Sequence, residues 1–122
     1  MKFYRCNRCG NIIAFVESSG VPVMCCGQKM EEILPNTTDA ANEKHVPVVT
    51  VDGNKVTVNV GSAPHPMTEA HYITWVAIST NLGNQRKVLS PSDEPKAEFM
   101  LLEGETVEAC YAYCNLHGLW KA

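Results

Sequence analysis

The chain has 122 residues, 13 acidic against 10 basic, and a formal charge of −3. It carries no Lys/Arg run and no apolar stretch long enough for a membrane span, so nucleic acid and membrane partners are not expected. Six cysteines, behind an N-terminus (Met1-Lys2-Phe3-Tyr4-Arg5-Cys6) with no apolar leader, predict a cytoplasmic protein whose thiols hold metal instead of pairing as disulfides.

Residues 1–35 read as a small first domain. Cys6-Asn7-Arg8-Cys9-Gly10 is a CxxC knuckle closed by glycine, and Cys25-Cys26-Gly27 follows. Between them Ile12, Ile13, Phe15 and Val16 supply at most one short strand. That is too little apolar surface for a core, so the block needs a staple, and four thiolates around one metal provide it. The adjacent Cys25 and Cys26 must splay apart to reach a shared ion, which predicts a distorted tetrahedron. Spacing alone does not choose between iron and zinc.

Residues 36–122 read as a second, β-rich domain. Leu34 to Lys44 is polar and aperiodic, a linker that ends at His45. Val48 to Val51 is a β-branched run, Val56, Val58 and Val60 alternate with polar residues, and Asp52-Gly53 between them signals a hairpin. Further along, His71, Ile73, Trp75 and Ala77 are predicted to share one strand face, with Tyr72, Thr74, Val76 and Ile78 on the other. Asn81 to Asn84 is a turn, Lys87 to Leu89 and Ala97 to Leu102 are short strands, and Glu103-Gly104-Glu105 turns into a last strand over Thr106 to Tyr113. Short strands at near-regular spacing predict an antiparallel β-sandwich.

Cys114-Asn115-Leu116-His117-Gly118 puts a thiol and an imidazole three residues apart, so one turn of chain offers two ligands to one ion. The chain has only four histidines, and three lie in rigid contexts: His45 before Val46-Pro47, His65 between Pro64 and Pro66, and His117 before Gly118. With His71 and Cys114 they are expected to form one site. Four imidazoles and a thiolate exceed what a structural zinc site uses, and the mixture suits iron. With the histidines in one plane and Cys114 axial, one octahedral position opposite the sulfur stays open, a catalytic arrangement.

The motifs CNRCG and CCG, then EKHVP (43–47), GSAPHPM (61–67), His71 and CNLHGLW (114–120), span the chain. Together they resemble the desulfoferrodoxin family of two-iron superoxide reductases. The resemblance implies a desulforedoxin-like first domain with iron on Cys6, Cys9, Cys25 and Cys26. It implies an immunoglobulin-like second domain with iron on His45, His65, His71, His117 and Cys114. It also implies a homodimer, a rubredoxin-like electron donor, and one-electron reduction of superoxide to hydrogen peroxide.

Within that frame Lys44 is the cation expected to draw in the anionic substrate, and such a patch raises association rates about 10- to 1000-fold. Glu43 is the expected sixth ligand of the oxidised iron. Backbone N–H groups of Leu116 and His117 are placed to hydrogen-bond the Cys114 sulfur and moderate its electron donation. Cys110 departs from the pattern. It is expected on the same strand face as Cys114, as a packing residue.

Overall fold

The structure, a computed structural model, describes Met1–Ala122 and divides between Leu34 and Pro35 into two units. In the first unit, strands β1 (Phe3–Arg5), β2 (Ile12–Ala14), β3 (Met24–Cys25), β4 (Gln28–Lys29) and β5 (Glu31–Glu32) are all very short. β1 is the middle strand, antiparallel to β2 and β5, and β3 and β4 form a separate hairpin. Phe3, Cys6 and Met30 are the only buried apolar side chains of this unit, so apolar burial alone gives it little to stand on. The strand expected to run to Val16 stops at Ala14. Phe15 turns edge-on to Tyr4, with ring centroids 5.2 Å apart, and Val16 is fully exposed.

The second unit opens with a single helical turn, α1 (Asn42–His45). Seven strands follow: β6 (Pro47–Asp52), β7 (Lys55–Val60), β8 (Ile73–Thr80), β9 (Gly83–Val88), β10 (Lys96–Met100), β11 (Val107–Cys114) and β12 (Gly118–Lys121). They make two antiparallel sheets, ordered β10-β7-β6 and β12-β11-β8-β9. Val56, Val58, Val60, Ala97 and Phe99 of the first sheet meet Val76, Ile78, Cys110, Ala112 and Cys114 of the second. This is the expected sandwich, and its alternating residues explain its core. No helix is long and apolar enough to cross a membrane.

Three local readings change. On β8, both Ile73 and Val76 belong to the core, which strict alternation forbids. The register with β11 shifts between Tyr113 and Cys114, so the strand changes face near Thr74, and His71 lies before the strand begins. Beyond Cys114 the chain makes a further strand, β12, which returns along β11 from Cys114↔Gly118 to Tyr111↔Lys121. Four residues after a turn are too few to show a period. Finally, the polar stretch before His45 is anchored. Asn36 N–H donates to the Leu119 carbonyl at 3.0 Å, its Oδ1 accepts the Lys121 N–H at 2.9 Å, and its Nδ2 donates to the Lys121 carbonyl at 3.1 Å.

The turn α1 rests directly on Gly61. A Cβ there would stand 2.7 Å from the Glu43 carbonyl oxygen and 2.8 Å from that of Val46, so glycine alone permits the approach. The Glu43 carbonyl then accepts the Ala63 N–H at 2.8 Å and the Ser62 hydroxyl at 3.2 Å. These contacts seat His45 at one end of the sandwich.

Candidate metal centres

Cys6 and Cys9 sit in a tight turn: Gly10, at φ +84°, donates its N–H to the Cys6 carbonyl at 2.9 Å. Cys26 and Gly27 form the two-residue loop of the β3–β4 hairpin, at φ +52° and +71°. Two successive left-handed residues are what a type I′ turn demands. That turn solves the adjacency problem, because it swings Cys26 Sγ round to the side already occupied by Cys25. The four sulfurs all lie within 4.8 Å of one another, with Cys9 and Cys25 3.6 Å apart and Cys25 and Cys26 4.0 Å apart. Sulfurs bound tetrahedrally at about 2.3 Å from one ion would stand about 3.8 Å apart. Cys9 N–H donates to Cys6 Sγ at 3.5 Å and brings that thiol down to about 6. Crowding against the Cys9 and Cys6 sulfurs pushes Cys26 up to about 12. One negative charge is easily carried here; four require a cation.

In the second unit, α1, the loop after β7, the approach to β8 and the β11–β12 connection converge. They bring together His45, His65, His71 and Cys114, whose donor atoms lie within 4.8 Å of one another. His117 stands beside them, its Nδ1 3.0 Å from His45 Nε2 and 3.8 Å from Cys114 Sγ. Neighbouring ring centroids are 4.6 Å (His45–His65), 4.7 Å (His65–His71), 5.0 Å (His71–His117) and 4.9 Å (His117–His45) apart, each pair crossed at 78–83°. The His45–His71 distance is longer, 6.3 Å, and those rings are only 31° apart. The four rings therefore form a square pinwheel, with His45 and His71 on one diagonal.

Carbonyls set the tautomers. His45 Nδ1 lies 2.7 Å from the Ala41 carbonyl and His65 Nδ1 2.7 Å from that of Pro66. A carbonyl only accepts, so both Nδ1 atoms carry the proton and both Nε2 atoms are bare. Those bare nitrogens face each other at 3.2 Å, where no hydrogen bond can form between them. Nitrogens bound at about 2.1 Å from one ion, at right angles, would stand about 3.0 Å apart. His71 Nε2 is likewise buried with no hydrogen-bond partner. Burial holds His65 down to about 4 and lowers His45 and His71, so these three rings are neutral at pH 7. The arrangement fits a cation.

Cys114 is fully buried, and burial raises its thiol. The N–H groups of Leu116 and His117 donate to its sulfur and oppose that rise. Cys110 is buried on the same face, and burial pushes it up to about 12, so it stays a neutral thiol. Lys44 and Glu43 are exposed on α1, and neither joins an ion pair. Behind burial and the neighbouring imidazoles, the Lys44 charge also lowers His45 and His71, so its ammonium is felt at the site. Sequence reasoning missed Trp120. Its ring is fully buried and packs on His45, with centroids 4.8 Å apart. Its sequence signal was its place at the end of the CNLHGLW motif (114–120), two residues after Gly118.

A family model described as desulfoferrodoxin matches residues 37–122, and one described as desulfoferrodoxin, N-terminal domain, matches residues 1–33. A desulfoferrodoxin homolog of Archaeoglobus fulgidus is 47% identical over 122 residues, covering 100% of this chain and 96% of its own. The crystal structure of the superoxide reductase from Treponema pallidum superposes with a TM-score of 0.84 at 38% identity, covering 99% of this chain and 97% of that one. A superoxide reductase (1Fe-SOR) from Giardia intestinalis gives a TM-score of 0.56 at 35% identity, over 66% of this chain and 95% of that one.

Proposed function

The chain belongs to the desulfoferrodoxin family, and from that premise we propose that it is a superoxide reductase carrying two irons, one on Cys6, Cys9, Cys25 and Cys26 and one on His45, His65, His71, His117 and Cys114. The observation that carries the reading is the pair of bare Nε2 atoms of His45 and His65, 3.2 Å apart within a ring of imidazoles beside a buried sulfur. Held by these residues, iron would supply the one-electron chemistry that, with two protons, turns superoxide into hydrogen peroxide.

The chain's own residues do the rest. The Ala41 and Pro66 carbonyls keep the His45 and His65 Nε2 atoms unprotonated and aimed inward. The Leu116 and His117 N–H groups draw charge from the Cys114 sulfur and temper its donation. Lys44 attracts the anion, and Glu43, whose carboxylate joins no ion pair, is the residue proposed as a further ligand of the oxidised iron. Electrons come from a rubredoxin-like donor, the working form is a homodimer, and the four-cysteine centre serves as an auxiliary electron site.

The test is metal analysis and a visible spectrum of the purified protein, followed by stopped-flow mixing with superoxide. The expected result is two irons per chain, thiolate colour and rapid consumption of superoxide. A colourless zinc protein that leaves superoxide untouched would overturn the proposal. Lys44→Ile is expected to slow the second-order reaction roughly tenfold at low ionic strength and to flatten its salt dependence. A wild-type rate for that variant at low salt removes Lys44 from the steering role.

A further inference from the structure

His45 and His65 are each held twice, by the backbone and by an Nδ1–H on a carbonyl. His71 and His117 have no such second hold: neither ring gives a proton to a carbonyl or carboxylate. Their rings go where their backbones go. His71 closes a small loop with Thr68, whose N–H donates to the His71 carbonyl at 3.0 Å, while His71 N–H donates back to the Thr68 carbonyl at 3.1 Å. His117 rides on the β11–β12 connection. One exposed side chain ties these segments together. Asn115 N–H donates to the Tyr72 carbonyl at 3.2 Å, its Oδ1 accepts the Tyr72 N–H at 3.0 Å, and its Nδ2 donates to the Ala70 carbonyl at 3.0 Å. Ala70 and Tyr72 are the residues on either side of His71.

We propose that Asn115 is a positioning residue: by clamping the backbone on both sides of His71 to the segment between Cys114 and His117, it replaces the ring-to-carbonyl bonds that His71 and His117 lack. This rests on the reading of the second centre as an iron site. The clamp itself is a generic device, because Asn81 makes the same three bonds elsewhere in the sandwich. Its N–H donates to the Thr106 carbonyl at 3.2 Å, its Oδ1 accepts the Thr106 N–H at 2.8 Å, and its Nδ2 donates to the Gly104 carbonyl at 2.9 Å. What differs is the cargo. Asn81 joins two turns that carry no histidine or cysteine, whereas Asn115 joins segments bearing three of the five proposed ligands. Asn81 is therefore a matched control for the loss of the same bonds.

The experiment uses the iron-loaded full chain with Asn115→Ala, Asn115→Asp and Asn81→Ala. A ferrous chelator in excess draws iron from the His/Cys centre, with the four-cysteine centre of the same molecule as internal standard, and the thiolate absorption band is recorded beforehand. Loss of an outer-shell partner costs about 10- to 100-fold in metal affinity. Asn115→Ala is expected to release that iron faster by a factor in this range and to shift the band. Asn115→Asp should fall between, since its carboxylate still accepts the Tyr72 N–H but cannot donate to the Ala70 carbonyl. Asn81→Ala should keep the wild-type release rate and band while its melting temperature falls. Wild-type release and an unmoved band in Asn115→Ala would overturn the proposal. Equal acceleration in Asn81→Ala would also overturn it, by showing that the effect is loss of stability anywhere in the sandwich. A wild-type chain that takes up no iron at the histidine ring would defeat the site reading, and the proposal with it.

Discussion

Cys114→Ser is expected to abolish the thiolate absorption of the second centre and to slow its reaction with superoxide by more than about a hundredfold, beyond what loss of an outer-shell partner costs. Cys114 is the one anionic donor proposed for that centre, fully buried and already receiving the Leu116 and His117 N–H groups. A serine hydroxyl accepts those donors equally well but stays protonated at neutral pH and binds iron poorly. The four imidazoles remain, so the sandwich is expected to keep its fold and some metal. Cys110→Ala is the control. Cys110 lies on the same core face, yet burial keeps its thiol protonated, and alanine there avoids burying a hydroxyl. Visible spectra and stopped-flow traces of both variants decide the matter. A band that survives in Cys114→Ser and vanishes in Cys110→Ala would mean that the wrong sulfur has been assigned.

Trp120→Ala should be the most destabilising single change in the second unit. The indole is fully buried on β12, its backbone stands opposite Ala112, and its ring backs His45 at 4.8 Å. Truncating such a side chain costs about 3–5 kcal/mol, a large share of the roughly 5–15 kcal/mol that holds a domain together. In a unit of this size the melting temperature should fall by more than about 10 °C. His45 loses its backing at the same time, so the second centre should bind iron more weakly while the four-cysteine centre is unchanged. Trp120→Phe keeps a ring against His45 and is expected to recover most of both losses. Thermal unfolding and metal analysis provide the check, and a drop of only a few degrees with full iron content would refute the role of Trp120 as a support for His45.

The sequence by itself determined the donor chemistry and the kind of scaffold. Thiols paired around glycine and imidazoles beside proline or glycine announce metal sites, because few residue types can bind an ion and few backbones hold them still. The sandwich was legible in Val56, Val58 and Val60, because burial on one face of a strand forces a period of two that any reader of the chain can see. The tertiary structure decided everything that depends on a distant neighbour. The ring order His45, His65, His71, His117 closes through a contact between residues 72 positions apart. Which nitrogen of His45 and His65 faces inward is set by the Ala41 and Pro66 carbonyls, a matter of through-space geometry that residue type does not encode. The change of face at Thr74, the return of β12, the seat of α1 on Gly61 and the clamp of Asn115 on Ala70 and Tyr72 share one cause. Each is a contact between segments whose local patterns carry no mark of their partners, and packing alone brings them together.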